Sequence, residues 1–178
     1  MRSFLKLGII LPALLGIVVS SFIAQRTLER LRTKTAPGPV AASGFSLPRG
    51  PMINLDNNRD EYEEVTKGKV LLVFLTTDCD ACKKEASHMS QAIPSLASKL
   101  RIYGVCIEDR GTVIQFTEET HPDFPILLDH GAKILTRLGF RLMPTKVMLQ
   151  DGIVTRMWYG SSANKAALIK DVGEVETR

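Results

Sequence analysis

Val70-Leu71-Leu72-Val73-Phe74-Leu75-Thr76-Thr77-Asp78-Cys79-Asp80-Ala81-Cys82-Lys83-Lys84-Glu85 is the stretch from which the rest of the chain is read. Its first six residues are an unbroken apolar run of strand length, bounded by polar residues, as in a strand buried on both faces. The segment from Lys83 to Ser98 reads as a helix. Cys79 and Cys82 therefore stand at i and i+3 where a buried strand becomes a helix. Two thiols at that spacing can close a small disulfide ring. The first sulfur lies at the helix N-terminus, where unpaired backbone N–H groups and the macrodipole favour a thiolate. A thiolate beside a resolving thiol is the machinery of thiol–disulfide exchange. Structural zinc sites also use CxxC, but zinc takes four ligands. The one remaining cysteine, Cys106, lies in an apolar run, and His88, His121 and His130 are scattered. No metal site is expected. A purely structural disulfide is disfavoured, because so short a loop constrains the unfolded chain little.

Outward from this motif, the 178 residues with 44% hydrophobic content suffice for one domain with a real core. The formal net charge of +4 is unevenly placed. Arg2, Lys6, Arg26, Arg30, Arg32 and Lys34 precede residue 45 with Glu29 as the only acid there, whereas residues 45–178 carry 17 basic and 18 acidic side chains. A nucleic-acid surface needs clustered Lys and Arg on the folded domain, so nucleic acid is not an expected partner.

Leu7 to Ala24 is 18 residues without a charge, close to the length that spans a bilayer as a helix. A cleavable signal wants small residues at −3 and −1, and Phe22 stands at −3 if Ala24 is −1. An uncleaved transmembrane anchor in the lipid bilayer is the expectation. Basic residues flank it on both sides, so charge alone leaves its orientation open. The expected organisation is a basic N-terminus (residues 1–6), the anchor (7–24), a basic stretch with a Pro/Gly/Ala linker (25–44) and one folded domain (45–178).

Within that domain apolar runs alternate with amphipathic stretches. Strands are expected at Met52 to Leu55, Val70 to Thr76, Arg101 to Ile107, Ile126 to Leu128, Lys146 to Gln150 and Val154 to Tyr159. Helices are expected at Lys83 to Ser98, Thr112 to Glu119, Lys133 to Leu138 and Ser162 to Val172, with Pro94 kinking or breaking the first of them. Asp151-Gly152 marks a hairpin. This pattern predicts an α/β fold, a mixed central sheet with helices on both faces.

The series Phe45-Ser46-Leu47, Asn54-Leu55-Asp56, Gly68-Lys69-Val70, Cys79-Asp80-Ala81-Cys82-Lys83-Lys84-Glu85 and Gly104-Val105 with Asp109 continues through Phe124-Pro125-Ile126-Leu127 with Asp129, Leu138-Gly139-Phe140, Met143-Pro144-Thr145, Asp151-Gly152 and Gly160. In this order it resembles the membrane-anchored thioredoxin-like thiol–disulfide oxidoreductases of the TlpA/ResA kind, over nearly all of residues 45–178. The resemblance implies a thioredoxin-like fold and a cis bond before Pro144. It implies that the backbone of Met143, with Pro144 and Thr145 beside it, pairs with a substrate strand. It implies that Cys79 attacks and Cys82 resolves. It implies a partly buried Glu85, one helical turn beyond Cys82, that exchanges a proton with that thiol; the residues alone also allow a solvated surface acid. The implied partners are disulfide-containing exported proteins, apocytochrome c among them, and a membrane thiol-relay protein that supplies electrons. No nicotinamide or flavin motif is present, so no cofactor is expected. The resemblance also places the domain on the extracytoplasmic (periplasmic) side.

Two departures bear on direction. Many relatives carry Trp before the first cysteine and Pro before the second, where this chain has Asp78 and Ala81. Asp78 and Asp80 flank the nucleophile, and negative charge there disfavours a thiolate. A less stabilised reduced form makes a better reductant. Two other readings stay open. Thr76-Thr77-Asp78-Cys79 contains the Thr-x-x-Cys of peroxiredoxins, with Arg137 and Arg141 as candidate activating residues, although Leu72 stands where that pattern has proline. A non-catalytic thioredoxin-like binding module is the other.

Overall fold

The computed structural model describes residues 44–173. The expected basic N-terminus, the expected anchor at 7–24 and all but the last residue of the linker lie outside them. Among the described residues no helix is long and apolar enough to cross a membrane.

The chain runs β1 (Phe45–Ser46), β2 (Ile53–Asn54), α1 (Tyr62–Val65), β3 (Lys69–Leu75), α2 (Asp80–Leu96), β4 (Arg101–Cys106), α3 (Arg110–Thr120), β5 (Ile126–Leu128), α4 (Lys133–Leu138), β6 (Thr145–Gln150), β7 (Ile153–Tyr159) and α5 (Lys165–Gly173). The strands form one sheet in the order β1-β7-β6-β3-β4-β5-β2. β3, β4 and β5 are parallel, while β6 joins β3 antiparallel and β7 continues antiparallel from β6. The sheet is therefore mixed, and β3, which leads to the cysteines, sits in its middle.

Alternation along β3 divides the core. Leu71, Val73 and Leu75 face one cluster with Cys82, Ala86, Met89, Ala92 and Leu96 of α2, Val113 and Phe116 of α3, and Leu168 of α5. Val70, Leu72 and Phe74 face the other, with Ile134 and Leu138 of α4 and Val147 and Leu149 of β6. An apolar run with no polar face is the pattern that two covered faces require. In β4, Gly104 leaves room for its neighbours: a Cβ there would stand 2.5 Å from Ile126 Cδ1 and 2.9 Å from Phe124 Cε2. The turn from β6 to β7 places Asp151 at φ 50° and Gly152 at φ 76°, the left-handed pair a two-residue hairpin demands. Asp151 also reaches back, its Oδ1 accepting Gly68 N–H at 2.8 Å just before β3.

Several expectations are corrected. The first long helix starts at Asp80, not Lys83, because Cys79 is its N-cap, extended at φ −106° and ψ 111°. The motif is thus the first turn of α2. That helix runs through Pro94 to Leu96. Proline there removes a single intrahelical bond, the one residue 94 would donate to Ser90 O, and buried Ala92 and Leu96 hold the turn against the core. The last helix begins at Lys165, not Ser162, because Ser162 is engaged elsewhere. β1 and α1 were not expected, being two and four residues long.

Candidate active site

β3 ends at Leu75 and delivers Thr76, Thr77 and Asp78 to the start of α2. Cys79 is half-buried and Asp78 and Asp80 are exposed, whereas Cys82 is fully buried. The amide of Cys82 donates to Cys79 Sγ at 3.3 Å. An N–H directed at sulfur from the first turn stabilises negative charge on it. All three cysteines are free thiols.

Cys82 meets different surroundings. Thr76 N–H lies 3.4 Å from its Sγ and Thr76 Oγ1 lies 3.6 Å away. Burial nevertheless dominates and pushes this thiol up to about 12, with the Thr76 contacts opposing and the Cys79 contact adding to the rise. Charge is costly where water is excluded. The pair is therefore asymmetric, one reachable sulfur above one enclosed thiol. Cys106 at the end of β4 is buried, and burial pushes its thiol upward as well.

The Met143–Pro144 peptide is cis. Met143 is half-buried and, like Cys79, packs at the margin of the cluster that holds Cys82. Pro144 O accepts Gly160 N–H at 2.8 Å, which ties this loop to the end of β7. Thr145 is buried and its hydroxyl donates to Leu142 O. Leu142 is 60% exposed, an apolar side chain presented to solvent beside the loop.

Glu85 is neither a surface acid nor a partly exposed one: it is wholly buried. Its Oε1 accepts Lys146 Nζ at 2.8 Å and Ser162 Oγ at 3.0 Å. Its Oε2 accepts Ser162 N–H at 2.6 Å and Ser161 Oγ at 3.1 Å. Sequence reasoning passed over Lys146, Ser161 and Ser162. The available signal was a lone lysine heading the apolar run Val147-Met148-Leu149, at a position where the strand is buried on both faces. Glu108 was missed too; its Oε1 accepts Thr77 N–H at 3.1 Å and so pins the segment ahead of Cys79.

Thr76 bears on the peroxide reading. Its hydroxyl contacts the interior sulfur of Cys82, not the accessible one that peroxide would have to meet. Arg137 is engaged at the surface, donating to Arg49 O at 2.6 Å. Among the described residues no group of three or more His, Cys, Asp or Glu side chains could hold a metal ion. A groove of about 520 Å³ between α2 and α5, lined by Lys84, His88, Gln91 and Lys165 among others, contains neither cysteine of the motif.

Residues 40–175 match the AhpC/TSA family. The chain belongs to the AhpC/TSA family. Within known proteins it is similar to the thiol-disulfide oxidoreductase ResA of Halalkalibacterium halodurans, 28% identical over 151 residues, or 82% of this chain and 77% of that protein. ResA of Bacillus anthracis is 24% identical over 125 residues, covering 68% of this chain and 72% of the relative. Among solved structures, a putative thiol:disulfide interchange protein DsbE from Chlorobium tepidum superposes with TM-score 0.66 at 19% identity, covering 76% of this chain and 98% of its own. StoA from Bacillus subtilis gives TM-score 0.58 at 22% identity, covering 75% and 98%. These structures establish the fold as thioredoxin-like. With its asymmetric dithiol, this AhpC/TSA member is a thiol–disulfide oxidoreductase of the ResA kind.

Proposed function

We propose that this oxidoreductase reduces disulfides of exported partner proteins, apocytochrome c among them, from a domain held outside the cytoplasm by the anchor at residues 7–24. The observation that carries the chemistry is the Cys82 amide aimed at Cys79 Sγ at 3.3 Å, above a resolving thiol closed off from solvent. The Cys79 thiolate attacks one sulfur of a substrate disulfide. A mixed disulfide forms, and the other substrate sulfur leaves as a thiolate that takes a proton from water. Cys82 then loses its proton, which ends on the departing substrate sulfur, and attacks Cys79 Sγ. The Cys79–Cys82 disulfide forms, and the second substrate thiol departs. Two electrons have passed to the substrate, and a membrane thiol-relay protein returns them by the same exchange in reverse. The backbone of Met143 beside Pro144 is the docking edge for the substrate strand.

The direction rests on charge. Asp78 and Asp80 flank the nucleophile, both exposed, and oppose the thiolate that the helix terminus favours. The Cys79–Cys82 potential is therefore expected well below the roughly −120 mV of a strong oxidase, and Asp78→Asn with Asp80→Asn should raise it. A potential near that of the oxidase would refute the reducing assignment. Substrate and compartment are tested with full-length Cys82→Ser protein, which should hold its partner as a mixed disulfide on Cys79. Mass spectrometry that found only cytoplasmic proteins, or none, would overturn the reading.

A further inference from the structure

The buried polar cluster behind the cysteines is not used by the exchange chemistry above, and its geometry is specific. Lys146 and Glu85 side chains are 3% and 0% exposed. The three ammonium hydrogens of Lys146 meet three acceptors: Glu85 Oε1 at 2.8 Å, Gly160 O at 2.9 Å and Ser162 Oγ at 3.2 Å. Each of these lies on a different part of the site. Glu85 is one helical turn beyond Cys82 on α2. Gly160, at the end of β7, donates its own N–H to Pro144 O at 2.8 Å. Ser162 begins the connection to α5 and donates both backbone N–H and hydroxyl to Glu85. Lys146 itself stands two residues after Pro144, paired across the sheet with Val73 of β3, the strand that leads to Cys79.

We infer that Lys146 is a positioning residue that fastens the cysteine-bearing helix to the Met143–Pro144 loop. The inference rests on the oxidoreductase reading and adds a residue to it. A chain of hydrogen bonds runs from Pro144 O through Gly160 and Lys146 to Glu85 on α2, with no water needed to complete it. Each ammonium proton of Lys146 and each carboxylate oxygen of Glu85 has a partner, which is what makes a buried charge pair tolerable in the interior. Its consequence is geometric. A peptide disulfide must dock on the loop and present its sulfur to Cys79 at once, so an error of about 1 Å between loop and helix costs rate steeply. A small disulfide that does not use the loop escapes this requirement. Lys146 thus governs reaction with polypeptides more than reaction with small disulfides, and a role in general packing would depress both alike.

The test compares kcat/KM of the full-length protein toward insulin disulfides and toward 5,5′-dithiobis(2-nitrobenzoate), together with amide hydrogen exchange at Gly160. In Lys146→Met the insulin value should fall about tenfold or more and the small-disulfide value less than about threefold, and Gly160 exchange should accelerate. Equal losses on both substrates, or no loss on insulin, overturn the inference. If the lone buried carboxylate prevents folding, Lys146→Met combined with Glu85→Gln leaves no charge in this cluster. This variant still lacks the link to Gly160, so the lowered insulin-to-small-disulfide ratio should persist in it. A ratio equal to the parent's overturns the inference. A parent protein inert toward both substrates overturns the oxidoreductase reading itself, and the role of Lys146 with it.

Discussion

Cys79 and Cys82 share one helical turn yet differ in the quantity that sets their reactivity. The first is reached by solvent and by the Cys82 amide; the second is enclosed, and its thiol is pushed up to about 12 chiefly by burial. Only the thiolate attacks. In a mixed disulfide on Cys79 the enclosure of Cys82 remains, so its thiolate fraction grows with pH throughout the neutral range. Resolution of a preformed mixed disulfide should therefore accelerate about tenfold per pH unit between pH 6 and 9, read by stopped-flow release of the reporter thiol. A plateau below pH 8 would show that the enclosed thiol ionises far more readily than its burial implies. Cys106 gives the contrasting case. It is fully buried in β4, paired across the sheet with Leu75, and has no route to a substrate. Cys106→Ala should leave disulfide reduction intact and lower stability by about 1 kcal/mol through the small void it leaves, measured by chemical denaturation.

At the scale of elements, the site depends on junctions that short-range pattern barely marks. α2 begins on a cysteine, because the sulfur of Cys79 serves as the acceptor that serine or aspartate supplies at most N-caps. α4, on the opposite face, begins differently. Asp129 is fully buried, and its carboxylate accepts Ile134 N–H at 3.1 Å and 3.0 Å and Leu135 N–H at 2.9 Å. It thereby satisfies the first amides of a helix that packs on the Phe74 face of the core. Asp129→Ala leaves these donors buried without a partner, and stability should drop by about 2 kcal/mol, visible as a lower denaturation midpoint with unchanged slope. Unchanged stability would mean that water replaces the carboxylate there.

For the whole molecule, the Glu85–Lys146 pair is where cost and organisation meet. Two ions have been taken out of water, an expense that their attraction and surrounding hydrogen bonds roughly offset. Breaking the pair from one side should be severe: Lys146→Met is expected to lose about 3–5 kcal/mol. The double variant Lys146→Met with Glu85→Gln should regain most of that loss, since no unpaired charge remains. Thermal denaturation of the parent, both single variants and the double forms the cycle. Simple addition of the single losses in the double variant would show that the two residues do not stabilise one another. The cluster joins a residue of α2, one of β6 and three that follow β7, so its integrity reports on the whole arrangement around the cysteines.

Local composition was enough to locate the motif, the strand before it, the hairpin at Asp151-Gly152 and the mixed α/β layering, because each is a matter of neighbours in the chain: apolar runs, turn chemistry, two thiols a turn apart. The surroundings of those residues were beyond its reach. Glu85 beside Lys83 and Lys84 reads as a residue that water could hold, and its true partners are Lys146 and Ser162, separated from it by 61 and 77 residues. Thr76 reads as the companion of Cys79 by spacing and contacts Cys82 by geometry. Sequence alone singled out the two thiols proposed to exchange disulfides. Only the tertiary structure decided which of those atoms is enclosed and what holds its helix in place, because burial and long-range pairing are set by the packing of the sheet and its helices.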